Sequence, residues 1–270
     1  MVYIFPFVAS RFFLYNSSVG SIYLSVVIPC YDEMANLQKG VLDKIAHFLI
    51  TKKISYEVII VDDGSKDGSV EFIESFIKEN PHFILIKNPH YGKAGAVTTG
   101  MLIGRGEFRL FTDMDQATPI EEVNKLLPFL ESKEYDIAIG SRNTVRKGAP
   151  LVRLFISQSA ITLRKYMIGM RELSDTQCGF KLFTGKATDD IFTRYKKLKH
   201  GFTKITGTAI TFGADIELLY LAKQRGYKIK EVPINWLHVE TRRVNPLRDS
   251  VTGVLDLVTI KRNILSGVYK

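Results

Sequence analysis

Residues 56–69, YEVIIVDDGSKDGS, decide the fold. Val58 to Val61 form an unbroken apolar run that is too short for a helix. Such a run reads as a strand buried on both faces, as in a parallel sheet. It ends at Asp62 and Asp63, followed by a Gly- and Ser-containing turn and a second amphipathic stretch. The same unit recurs along the chain. Strands are predicted at Leu24 to Ile28, Tyr56 to Val61, Phe83 to Ile86, Phe108 to Thr112 and Ile137 to Ile139. Helices are predicted at Met34 to Lys52, Asp67 to Lys78, Lys93 to Ile103 and Ile120 to Glu131. Strands alternating with helices define an α/β class with a Rossmann-like, mainly parallel sheet flanked by helices.

The second half is less regular. Leu151 to Met170 reads as an amphipathic helix carrying Arg153, Arg164 and Lys165, and Phe180 to Phe183 and Ile229 to Trp236 read as strands. Arg194 to Lys204 (RYKKLKHGFTK) reads as a mobile, solvated basic loop. Ser250 to Lys270 places Val251, Val254, Leu255 and Val258 at helical spacing beside Lys261 and Arg262, an amphipathic C-terminal helix. The simplest division is an N-terminal apolar segment at 1–20, one α/β domain at 21–240 and a C-terminal amphipathic extension at 241–270.

The chain has 270 residues, 46% of them apolar, enough to bury a substantial core. Its formal charge of +9 favours anionic partners such as phosphates or an acidic membrane leaflet. No nucleic-acid-binding motif accompanies that charge, so a basic nucleic-acid module would leave the paired aspartates unexplained. Cys30 and Cys178 lack any metal-ligand spacing, which fits a reducing compartment. Met1 to Tyr15 is apolar but interrupted by Pro6 and Arg11 and is short for a spanning helix.

Open α/β sheets bind ligands where their strands end, and four segments end there. VVIPCYDE (26–33) leaves Tyr31, Asp32 and Glu33 on a turn after Pro29. There the acidic pair suits a helix N-terminus as well as a ligand. VIIVDDGSKDGS presents Asp62 and Asp63, whose carboxylates need donors, either a nucleoside or the turn's own capping groups. NPHYGKAGAVTTG (88–100) puts Gly92 and Lys93 before a helix, suited to a diphosphate, yet lacks both the GxxxxGK[ST] and GxGxxG spacings. RLFTDMDQATP (109–119) ends a strand in Asp113 and Asp115. Alternation in an extended chain would put both carboxylates on one side, facing one hard divalent cation such as Mg²⁺ or Mn²⁺.

In this order and spacing, VVIPCYDEMANL, VIIVDDGSKDGS, GKAGAVTTGM, DMDQATP, IGSRN, DTQCGFKLF and FGADIELL resemble the family 2 glycosyltransferases of the GT-A fold. The likeness is strongest to the dolichyl- or polyprenyl-phosphate sugar synthases. YEVIIVDDGSKDGS, GKAGAV and VPINW look most like those that take glucose from UDP-glucose. The resemblance implies a donor site of Pro29, Tyr31, Asp32, Glu33, Asp62, Asp63, Gly92, Lys93, Asp113 and Met114. It further implies metal ligands at Asp113 and Asp115, acceptor-phosphate ligands at Arg142 and Arg153, and catalytic roles for Asp175, Asp215 and Asp115. Glu217 would accompany Asp215 in an acidic helix start on the sugar side. Relatives with a further polar ligand two residues after the second aspartate differ from this chain, which has Ala117 there, so Gln116 or water would complete the metal shell.

The implied reaction is a metal-dependent inverting transfer from a nucleotide sugar to a lipid phosphate. The protein would work peripherally on the cytoplasmic side of a membrane, with its basic amphipathic segments against an anionic leaflet. A phosphate acceptor is already largely ionised at neutral pH, so Asp175 would position groups rather than remove a proton. Two alternatives stay open: a GDP-mannose donor, or a saccharide or protein hydroxyl as acceptor, for which Asp175 or Asp215 would be a general base.

Overall fold

The apolar runs become strands because each can bury both faces. In the computed structural model, which describes residues 21–142, 162, 164–205, 213–237 and 246–269, the strands are β1 (Leu24–Cys30), β2 (Tyr56–Asp62), β3 (Phe83–Lys87), β4 (Phe108–Thr112), β5 (Ile137–Ser141), β6 (Phe180–Thr184) and β7 (Ile229–Pro233). The helices are α1 (Met34–Leu37), α2 (Val41–Thr51), α3 (Ser69–Glu79), α4 (Gly92–Ile103), α5 (Val123–Glu131), α6 (Gly185–Leu198), α7 (Gly213–Gln224) and α8 (Pro246–Leu265). One sheet runs in the order β3-β2-β1-β4-β6-β5-β7. Only β6 is antiparallel to its neighbours, β4 and β5. The fully buried strands β2, β4 and β5 lie inside the sheet, while β3 and β7, each partly exposed, form its edges.

Alternation along each strand feeds two cores. Val26, Ile28, Val58 and Ile60 pack with Leu42 and Ile45 of α2 and Leu126 of α5. Val27, Ile59 and Val61 pack on the opposite face with Ala96 of α4, Ile191 of α6 and Leu219 of α7. Burying such side chains contributes roughly 1.5–3 kcal/mol each before conformational entropy is charged against it.

The sheet also opens in a defined place. β1 pairs with β2 as far as Cys30↔Asp62, but with β4 only as far as Val27↔Phe111. Pro29 has no N–H to donate, and it sits where the partnership with β4 has already ended. The strands splay at the point where strand order reverses, which creates the crevice expected of such sheets.

Several expectations are corrected. The stretch Met34 to Lys52 is two helices, because Gly40 adopts a left-handed conformation (φ 70°) between α1 and α2. A 3₁₀ turn, Ile120–Glu122, precedes α5. The expected strand Ile229 to Trp236 ends at Pro233. The basic stretch from Arg194 is not a free loop: its first residues complete α6, and Phe202 returns to pack on Tyr91 (6.4 Å between ring centroids) and Tyr195 (5.9 Å). Aromatic anchoring overrides the basic composition there. Arg164 lies buried, its guanidinium donating to the Thr176 hydroxyl and to the carbonyls of Leu173 (2.8 Å) and Ser174 (3.0 Å), so it supports that loop and is no membrane contact. Most of the expected helix Leu151 to Met170, including Arg153, falls outside the described residues.

Helix α8 presents Leu257 and Ile260 to the core and leaves Val254, Leu255, Val258 and Leu265 exposed. Among the described residues, no helix is long and apolar enough to cross a membrane.

Candidate functional site

The splay between β1 and β4 opens into a cleft of about 410 Å³. At one end Tyr31 stacks on His90, with centroids 4.5 Å apart and planes 18° from parallel. His90 Nδ1 lies 2.8 Å from the Asp63 carbonyl and 3.0 Å from its Oδ2. Both partners are acceptors, so this nitrogen carries the proton. Asp63 also accepts the N–H groups of Tyr91 and Gly92, each at 2.7 Å. Gly92 holds φ 78°, a conformation that costs glycine little, and this turns its N–H toward the carboxylate. The buried charge of Asp63 is thereby fully satisfied within the chain, and its residue still borders the cleft.

Asp62 and Asp32 lie outside that border. Asp62 accepts the N–H of Gly64 (3.0 Å) and of Ser65 (3.3 Å), while Asp32 Oδ1 accepts the N–H of Lys66 (2.8 Å). Ser65 Oγ accepts the Asp32 N–H in return, at 2.9 Å. Asp62 thus closes its own turn, while Asp32, through Lys66 and Ser65, stitches the turn after β1 to the turn after β2. Pro29, Tyr31, Glu33, Gly92, Lys93, Asp113, Met114, Asp115, Arg142 and Asp215 all border the cleft, as do His90, Gln177 and Phe111, which the sequence reading did not assign to it.

At the next station, Lys93 Nζ is 2.5 Å from Asp113 Oδ1. Desolvation in the cleft opposes the Lys93 charge, but Asp113, and then Asp215 and Asp115, outweigh it and hold its pKa above the ordinary lysine value. β4 ends at Thr112, so Asp113 and Asp115 sit in the following turn rather than in extended chain, yet both still face the cleft. Burial, with the Asp113 charge added, raises the Asp115 pKa, although Asp115 Oδ1 accepts the Ala117 N–H at 3.0 Å. Gly179 makes room for this arrangement: a Cβ there would lie 2.1 Å from Asp113 Oδ2.

The donor set suits a hard divalent cation in a specific sense. Asp113 and Asp115 offer only oxygen, and the lining holds five carboxylates (Glu33, Asp63, Asp113, Asp115, Asp215) against the two cations Lys93 and Arg142. An anionic ligand would meet net repulsion here unless a cation entered with it. Among the described residues no third His, Cys, Asp or Glu completes a cluster, so two carboxylates plus ligand oxygens is the arrangement available. In the same turn, the Gln116 Oε1 is buried with no hydrogen-bond partner.

Arg142 follows β5. Its Nε donates to Asp175 Oδ2 at 2.7 Å and its Nη2 to Oδ1 at 2.8 Å, and its backbone N–H reaches Oδ2 at 3.0 Å. Burial alone would raise the Asp175 pKa, but this bidentate pair more than offsets it and holds the carboxyl below the usual range. The same pair raises the Arg142 pKa against its own desolvation. Glu231 of β7 fixes the loop by accepting the N–H groups of Ser174 (2.7 Å) and Asp175 (2.8 Å). Asp175 does not border the cleft; its carboxylate is taken up by Arg142, which does. Glu217 is also withdrawn: it accepts the Tyr269 hydroxyl at 2.7 Å and pairs with Lys199. Arg153 lies outside the described residues.

A mainly parallel sheet, a switch-point crevice and paired aspartates after its central strand give the chain an α/β fold of the GT-A type. Solved structures sharing the fold include mannosyl-3-phosphoglycerate synthase from Rubrobacter xylanophilus (TM-score 0.58, 15% identity, covering 91% of this chain and 75% of that one). Another is the mannosyltransferase PcManGT from Pyrobaculum calidifontis, solved in complex with GDP-Man and Mn²⁺ (TM-score 0.51, 17% identity, 87% and 64% covered). The chain belongs to glycosyltransferase family 2, whose model, Glycosyl transferase family 2, matches residues 25–192. Similar relatives are the dolichyl-phosphate beta-glucosyltransferases of Saccharomyces cerevisiae (33% identity, 92% of this chain and 77% of that protein) and Dictyostelium discoideum (32%, 94% and 79%). That of Homo sapiens is 30% identical, with 92% and 77% covered.

Proposed function

We propose that this chain transfers glucose from UDP-glucose to dolichyl phosphate, with inversion at the anomeric carbon, at the cytoplasmic face of a membrane. One observation carries the reading: a single cleft gathers Lys93, Asp113, Asp115 and Arg142 in a chain whose relatives are dolichyl-phosphate beta-glucosyltransferases. The nucleoside lies toward Tyr31, His90 and Asp63, and its diphosphate toward Lys93. Asp113 and Asp115 would hold a Mg²⁺ or Mn²⁺, which when bound would supply positive charge against that growing on the departing diphosphate. Lys93 acts in the same direction, because its positive charge is held firmly by Asp113 and the negative charge it faces increases as the glycosidic bond breaks.

Arg142 receives the acceptor. Its bond to Asp175 occupies one edge of the guanidinium, and three of its five N–H donors remain for phosphate oxygens. A phosphate monoester has a second pKa near ~6, so its oxygen attacks without a general base. Asp175, held anionic by Arg142, orients that arginine and takes no proton. The apolar residues exposed on α8, with Lys261 and Arg262 beside them, support a resting place on an anionic leaflet. The free, buried thiols Cys30 and Cys178 suit a reducing compartment.

The test supplies dolichyl phosphate in vesicles with UDP-glucose, GDP-mannose or UDP-N-acetylglucosamine in turn, with and without a chelator. The expected product is a glucosyl lipid from UDP-glucose, lost on chelation and restored by Mn²⁺ or Mg²⁺. Turnover indifferent to the chelator, or preference for another donor, would refute the reading.

A further inference from the structure

Lys181 is a lysine on an internal strand with no exposed surface. It pairs in register with Phe111 of β4 and Ile139 of β5, so it occupies the centre of the sheet. A buried ammonium is costly unless oxygen acceptors surround it. Here Nζ donates to the Cys178 carbonyl at 2.5 Å and to Asp215 Oδ1 at 2.7 Å, and it lies 5.1 Å from the centre of the Phe111 ring. Asp215 belongs to the first turn of α7, borders the cleft and is 22% exposed. Its Oδ2 has no hydrogen-bond partner among the described residues. Asp215 also acts electrostatically on Lys93. Charges therefore alternate from the sheet interior to the site: Lys181, Asp215, Lys93, Asp113.

We propose that Lys181 is a positioning residue for the transfer, holding Asp215 so that one carboxylate oxygen faces the cleft as an acceptor for a hydroxyl of the transferred sugar. The chemistry is one of fit. Asp215 is tethered at Oδ1, which removes its rotamer freedom, and the free oxygen accepts from a hydroxyl donor but repels a phosphate. This separates the sugar end of the donor from the diphosphate end, where Lys93 stands. The inference rests on the nucleotide-sugar reading above, with Asp215 on its sugar side, and adds Lys181 as the residue that holds that carboxylate in place.

A double-mutant cycle on the full chain tests it, with Lys181→Met, Asp215→Asn and the double variant. If Lys181 acts through Asp215, each single change lowers kcat/KM for UDP-glucose by about 10- to 100-fold. The double variant then falls no more than about threefold below the weaker single one, because both remove the same interaction. Affinity for UDP, which lacks the sugar, does not fall in Asp215→Asn or in the double variant, because the charge removed repels phosphate. The double variant removes both charges together and keeps the fold testable if Asp215→Asn alone strands the fully buried Lys181 ammonium. Additive losses, a parallel fall in UDP affinity, or unchanged kcat/KM in Lys181→Met would overturn the proposal. If instead the parent chain shows no turnover of UDP-glucose, the functional reading fails, whatever the variants do.

Discussion

Replacing Gly179 by alanine should disable the site while adding only one methyl group. Gly179 precedes β6, and an added Cβ would lie 2.1 Å from Asp113 Oδ2, 2.6 Å from its Cγ and 2.8 Å from Oδ1. Carbon and oxygen in ordinary contact stand no closer than roughly 3.2 Å, so the carboxylate must retreat by about 1 Å. It would then leave Lys93, now 2.5 Å away, and abandon the geometry needed to share a cation with Asp115. Displacements of this size in a positioned group cost about 100-fold in rate. Gly179 has no left-handed backbone requirement, so the loss would come from the contact and not from strain in φ. The assay is kcat/KM for UDP-glucose over a Mn²⁺ titration, with thermal melting alongside. The expected variant melts near the parent, turns over about 100-fold more slowly and needs more Mn²⁺. Gly253→Ala is the control. Nothing lies within 4 Å of a Cβ there, and the residue is in α8, so activity is retained and stability rises by up to about 1 kcal/mol. Parent-like turnover and Mn²⁺ dependence in Gly179→Ala would refute the reasoning about Asp113.

Asp175→Asn should leave measurable turnover with a phosphate acceptor while raising its KM, because Arg142 loses its anchor but no proton carrier is removed; complete loss with folding and donor binding intact would argue for an essential base. The Asp175 carboxyl is held below its ordinary pKa in the folded state, so the pair's contribution to stability is present above the unfolded value of ~4 and is lost as pH falls through the lower folded one. The gap in melting temperature between the parent and Asp175→Asn should therefore be constant from about pH 5 to 8 and shrink below about pH 4. On α8, Leu255→Glu with Val258→Glu should reduce co-sedimentation with vesicles containing phosphatidylserine at low salt and leave UDP binding unchanged. Equal sedimentation of parent and variant would remove this face from membrane contact.

The order of elements was legible because each strand carries its own apolar run, and burial on two faces permits little else. The DxD pair and Lys93 could be singled out because strand ends are where such sheets bind ligands, Arg142 only through the family resemblance, and all of them border one cleft. Partnership was not legible. Asp62 and Asp63 are neighbours of identical chemistry, yet one closes its own turn and the other is held by His90, Tyr91 and Gly92, some 27 to 29 residues away. His90 lay in plain view beside Gly92, but stacking on Tyr31 needs two turns from different strands to meet.

Local periodicity determined what kind of sheet this chain makes and which segments terminate at its edge, since those depend on near neighbours and on water. Tertiary structure alone decided which carboxylates face the cleft and which are spent on the scaffold. That choice depends on where a donor from a distant segment arrives, as Lys181 does for Asp215 across 34 residues and Arg142 for Asp175 across 33.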